Sequence, residues 1–299
     1  MKIVVDSNDY EIRQAPGRGD EQPELLPLDY SVLPKRSDLR RFYGLSMSFA
    51  RNDLKLRYFA SAGGYLWTLL RPILVFGTLY IVFSHIIRMG GTIENYPAYL
   101  LLALTLWTFF ADSTLGGVTS LVDRGDVVRK VHFPMLVVPA SLVLTNALHM
   151  VLNLLVVGVL IVLLGVTPML SWLGAIPIIL IWMIFANGVS MFLSVAFVRF
   201  RDMQQIWDVA TQVLFWATPI IYVSIFPPEP LRQILYCLNP LAPMISEMRR
   251  LVIDPTAPTA VEIAGNGYLL LVPAGIIVGT VALGMYVFVR HARNVAEHL

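Results

Sequence analysis

Met135–Val166, MLVVPASLVLTNALHMVLNLLVVGVLIVLLGV, contains no Asp, Glu, Lys or Arg. The hydrocarbon core of a bilayer is about 30 Å thick and takes about 20 helical residues to cross. This run exceeds that length, so it is expected to tilt or to project beyond the bilayer. The whole chain has the same bias: 57% of its 299 residues are hydrophobic, only 14% are charged, and the mean hydropathy is +0.68. A water-soluble globule carries about a quarter charged residues. The surplus apolar surface therefore needs a solvent other than water.

Outward from this run, further apolar stretches of crossing length are Leu66–Ile87, Ala98–Val118, Trp172–Val198, Ile206–Phe226 and Tyr268–Val289. The expected fold class is all-α, a polytopic membrane protein with six transmembrane helices. The fifth span is the weakest, because Asp208, Gln212 and Pro219 interrupt it. Lys and Arg collect in the flanks that face the cytoplasm. With the N-terminus inside, that side receives Lys35, Arg36, Arg40, Arg41, Arg51, Lys55, Arg57, Arg124, Arg129, Lys130, Arg199, Arg201, Arg290 and Arg293, against Arg88, Arg232, Arg249 and Arg250 opposite. Both termini are expected to be cytoplasmic in a multi-pass membrane protein. Basic residues spread along membrane borders form no nucleic-acid patch.

The expected organisation is a cytoplasmic N-terminal tail (1–37), an interfacial amphipathic helix (38–58), a six-span domain (66–289) and a cytoplasmic C-terminus (290–299). Met1–Pro34 lacks the apolar core of a signal peptide. From Asp38 to Tyr58, Leu39, Phe42, Leu45, Phe49 and Leu56 form an apolar stripe opposed by arginines, which Asn52 and Asp53 spoil. It suits a helix lying in the membrane surface, or an ordinary soluble amphipathic helix. Between spans five and six, Leu231–Leu238 and Met244–Ile253 are apolar but too short to cross, and Asn239-Pro240 and Pro243 break them. Such pieces are expected to be re-entrant or interfacial.

Polar residues recur at i, i+3, i+7 on single helix faces: Thr105, Thr108 and Asp112; Asn146, His149 and Asn153; Asn187, Ser190 and Ser194; Gln205, Asp208 and Gln212. They serve either as interhelical glue or as the lining of a polar conduit. Aromatic faces occur at Phe76, Tyr80 and Phe83 and at Trp207, Phe215, Trp216 and Tyr222. No metal site is expected, since nothing at ligand spacing accompanies His149. The lone Cys237 excludes an intrachain disulfide framework. No lysine precedes Ser or Thr, so the chain has no phosphate-cradling P-loop, and it lacks HExxH and GxSxG as well. Asp112 and Asp208 could relay protons in a secondary transporter, but two carboxylates alone do not make that case, and energy has to come from elsewhere.

GYLWTLLRP (64–72), KVHFP (130–134), VRFRDMQQIWDVATQVLFWATPIIY (198–222) and LNPLAPMISEMRRL (238–251) follow one another in an order that resembles the membrane subunit of bacterial ABC polysaccharide exporters. That type-two ABC membrane family includes exporters of O-antigen, capsule, teichoic acid and lipid-linked galactan. The resemblance implies a half-transporter that works as a homodimer with two copies of a separate ABC ATP-binding subunit. ATP and Mg would be bound by that partner and no cofactor by this chain, which would not be an enzyme. The cargo implied is a polyprenyl diphosphate-linked polysaccharide.

By the same resemblance, residues 123–134 would form the coupling loop in a cleft of the ATPase, through Asp123, Arg124, Asp126, Val127, Arg129, Lys130, His132 and Phe133. Residues 228–253 would form outer gate helices, with Asn239, Pro240, Arg249 and Arg250. Spans one and five would line the conduit through Trp67, Phe76, Tyr80, Phe83, Trp207, Phe215, Trp216 and Tyr222. Arg71, with Arg57 before it, either snorkels to the headgroups or meets the cargo's diphosphate. Gly63 and Gly64 allow the turn from a helix in the membrane plane to one that crosses it. Alternative cargoes are a drug or small lipid. An integral-membrane glycosyl- or acyltransferase would require clustered acids or His, whereas Asp112, His149 and Asp208 lie on separate spans.

Overall fold

A computed structural model describes residues 39–59, 70, 73–78, 80–86, 95–125, 134–222, 228 and 231–298. Among them the fold is all helical, with no strand. Helix α1 is Leu39–Phe59. Residues 73–78 are helical and Ile81–Ile86 wind as a π-helix. Then come α2 (Tyr96–Asp123), α3 (Val137–Leu163), a 3-10 turn (Leu170–Gly174) running into α4 (Ala175–Arg199), and α5 (Met203–Ala217). Two short helices follow, α6 (Leu231–Leu238) and α7 (Leu241–Val252), then α8 (Ala260–Ala264) and α9 (Leu271–His298).

Prolines mark where the long helices start. Pro97, Pro139, Pro177 and Pro273 lie in the first turns of α2, α3, α4 and α9, where a missing N–H costs no helical hydrogen bond. Pro219 does the opposite. It pushes Thr218 into an extended conformation, φ −95° and ψ 137°, and α5 stops there.

Four segments are long and apolar enough to cross a membrane: Tyr96–Asp123, Val137–Leu163, Leu170–Arg199 and Gly267–His291. At 1.5 Å per residue α2 is about 42 Å long and α5 only about 22 Å. The expected fifth span is therefore a short helix followed by an irregular turn through residue 222. Much of the expected first span, Trp67 and Arg71 included, lies outside the described residues.

Helix α2 is the hub. Of its most apolar stretch 78% is buried, against 11% for α9, and it is the least apolar of the four. Close backbone approach packs α4 between these two. A Cβ on Gly117 of α2 would stand 2.7 Å from the Ser190 Cβ of α4, and one on Gly284 of α9 would overlap the carbonyl of Gly188. Small residues permit such crossings in the absence of a hydrophobic drive between helices in lipid. Ser190 Oγ uses the proximity to donate to the Ser113 carbonyl at 2.9 Å.

Helix α1 packs along α3. Of its expected stripe, Phe42, Leu45 and Phe49 are half-buried while Leu39 and Leu56 are exposed. Ser46 and Ala50 complete the inward face, and Asp53 falls at its end.

Candidate functional site

The polar contacts of the hub helix concentrate at its two ends. At the Tyr96 end, α2 receives the chain as it leaves α5. Tyr96 Oη donates to the Ile221 carbonyl at 2.8 Å, and Tyr99 Oη donates to the carbonyls of Pro219 and Tyr222. These bonds supply donors to a stretch that the proline has removed from helical pairing. Asn239, at the break between α6 and α7, ties the same turn from the other side. Its amide nitrogen donates to Thr218 Oγ1 at 2.7 Å and to the Ala217 carbonyl at 3.3 Å, and its Oδ1 accepts from the Leu241 N–H at 3.0 Å. Pro240 directly follows as the N-cap of α7.

Arg249 of α7 closes this end. Its guanidinium donates to Asp254 at 3.3 Å and lies 5.8 Å from the centre of the Tyr99 ring, and both charged side chains are almost fully buried. The neighbouring Arg250 donates to Glu247 at 3.1 Å, while the other Glu247 oxygen accepts from the Ala260 N–H and so fixes α8. Burial raises the Tyr236 phenol and the Cys237 thiol above their ordinary values, so neither adds charge beside α7. Of the residues expected at the gate, Asn239, Pro240 and Arg249 lie about the turn after α5, while Arg250 is tied to Glu247 beside α8. Tyr96, Tyr99 and Asp254, which sequence reasoning did not single out, complete the set.

At the Arg124 end one guanidinium gathers three helices. Arg124, the C-cap of α2, pairs with Asp53 of α1 and donates to Ser141 Oγ of α3 at 2.8 Å. Its guanidinium carbon also lies 5.4 Å from the centre of the Phe49 ring. Asp123 accepts from Thr119 Oγ1 at 2.6 Å. Asp126, Val127, Arg129, Lys130, His132 and Phe133 lie outside the described residues. Asp53 explains its own awkward place in the amphipathic stripe: it is the counter-ion that Arg124 needs.

The aromatic sets divide. Phe76 and Tyr80 stack at 5.6 Å, and both lean on the core, as do Trp207 and Phe215. Phe215 meets Trp107 edge-on at 5.6 Å, whereas Trp216 is 63% exposed. Tyr222 is half-buried, its hydroxyl donating to the Trp216 carbonyl at 3.2 Å. The side chains of Phe83 and Arg57, like Trp67 and Arg71, lie outside the described residues.

The polar faces divide too. Thr105 and Thr108 return their hydroxyls to their own helix at 2.8 Å, and Ser190 and Ser194 are buried in helix packing. Gln205, Asp208 and Gln212 instead stand exposed along α5, interleaved with Ile206, Val209, Val213 and Trp216. Among the described residues no three metal-ligating side chains gather.

A model of the ABC-2 type transporter family matches residues 46–253, from α1 through α7 and well over half of the chain. The chain belongs to the ABC-2 type transporter family. Among its ABC-2 relatives is the O-antigen export system permease protein RfbA of Klebsiella pneumoniae, 34% identical over 220 residues, covering 73% of this chain and 84% of the relative. A second Klebsiella pneumoniae protein of that name is 33% identical over 74% of this chain and 85% of its own length. A Myxococcus xanthus protein of that name is 31% identical over 75% and 85%. The ABC-2 chain described here is accordingly a membrane protein and a transport component.

Proposed function

We propose that this chain is the half-transporter of an ABC exporter that carries a polyprenyl diphosphate-linked polysaccharide outward across the bacterial inner membrane. Two copies pair with each other and with two ATP-binding subunits, which bind ATP and Mg. The observation that carries this reading is the likeness to O-antigen export permeases over about three quarters of the chain and most of each relative's length. The chain crosses six times in this reading: the four long helices, the segment around residues 66–87, and α5 with the turn that follows it. Both termini are cytoplasmic.

The Arg124 end is then cytoplasmic, and residues 123–134 take the push of the ATPase. The Tyr96 end is outer, and residues 228–253 gate it. The exposed face of α5, with Gln205, Asp208, Gln212 and Trp216, supports a role in lining the conduit with its counterpart in the second copy, because Gln and Asp side chains are costly against lipid tails. Sugar rings slide over such a face without covalent chemistry. Transport energy enters as rigid-body movement at the ATPase interface.

Deletion of the gene tests the reading. Surface polysaccharide is expected to disappear while lipid-linked glycan accumulates inside, and the intact gene is expected to reverse both. Unchanged surface glycan with no accumulation would overturn it.

A further inference from the structure

A docking arginine must present its guanidinium to the partner, and Arg124 stands where the proposed docking loop begins. Its side chain is only 18% exposed and is turned inward. The planar fork holds two partners at once, Asp53 of α1 and Ser141 of α3, while its face covers Phe49. Ser141 passes the contact on, donating to the Val138 carbonyl at 3.0 Å in the first turn of α3. A lysine in this place would match one of these partners as a point charge and lose the fork. Asp53 retains 29% exposure, so the pair sits at the rim of the bundle rather than in its interior.

We propose that Arg124 is a positioning residue that locks α1, α2 and α3 into one body at the mouth of the loop, so that a push on the loop moves α1 together with the crossing helices. This rests on the ATP-driven reading above. Arg124 and Asp53 then act between helices of this chain, and the contacts with the ATPase fall to residues further along the loop. Without the lock, α1 follows the loop only through its packing along α3.

The test uses the full chain with its ATP-binding subunit in vesicles. Asp53→Asn is expected to retain association and ATP hydrolysis while glycan exported per ATP falls about tenfold, within the usual coupling range for a contacting charge network. The double reversal Asp53→Arg with Arg124→Asp is expected to recover most of that loss. Asp53→Asn exporting at the wild-type ratio would overturn the proposal, as would loss of ATPase association in Arg124→Gln alone. A thermal-unfolding cycle on Asp53→Asn and Arg124→Gln reads the lock without transport. Non-additive shifts support it and additive shifts overturn it, even if the wild-type complex proves indifferent to ATP and the exporter reading falls.

Discussion

At its Tyr96 end α2 reaches the turn after α5 through two tyrosine hydroxyls, with the Asn239 amide on the same turn and the buried Arg249–Asp254 pair against the Tyr99 ring; at its Arg124 end a single half-buried cation holds α1 and α3. The hydroxyls and the amide satisfy backbone carbonyls of the turn, and neutral donors inside a bundle are indifferent to salt and to partner charges. The Arg124 end is a charge contact at a rim, open to screening and to competition. One end is built as a fixed joint and the other as an adjustable one.

The largest expected effect lies at the fixed end. Arg249→Ala leaves Asp254 buried without its cation, a loss of about 3–5 kcal/mol. The unfolding midpoint of the detergent-solubilised protein should drop sharply, and a midpoint near wild type would mean that this end is not a joint. Asn239→Ala strands the Thr218 and Leu241 groups and should cost about 2 kcal/mol in the same assay. Tyr96→Phe removes one hydrogen bond to the Ile221 carbonyl, about 1 kcal/mol. Equal, negligible shifts in these two variants would dissolve the contrast between the ends.

The smallest effect sharpens the contrast directly. Raising salt from about 0.1 to 1 M shortens the screening length from about 10 to 3 Å. Hydrogen exchange in α1 should speed up several-fold while residues 241–253 hold their protection. Equal acceleration at both ends would remove the distinction.

The helical class, four of the six expected crossing segments and the break at Asn239-Pro240 are legible in the sequence, because apolar length and proline position are local signals. The Asp53–Arg124 pair is not. Its partners stand 71 positions apart, and from the sequence Asp53 registers only as a flaw in an amphipathic stripe. Tyr96 and Tyr99 look like ordinary border aromatics until the turn after α5 comes beside them, and only Pro219 hints that this turn needs outside donors. Likewise, the spacing of Thr105 and Thr108 matches that of Gln205 and Asp208. One pair bonds back to its own helix and the other faces outward, a difference set by neighbours rather than by spacing.

In the proposed function this chain, driven by a separate ATPase, passes a lipid-linked glycan through the membrane. It is tested most directly by placing the purified complex in sealed vesicles with labelled polyprenyl diphosphate-linked glycan and following the label's protection from an added glycosidase. The account predicts that ATP with Mg changes the protected fraction over time, and that vesicles lacking either this chain or the ATP-binding subunit stay flat. A protected fraction indifferent to ATP in the complete complex would contradict it.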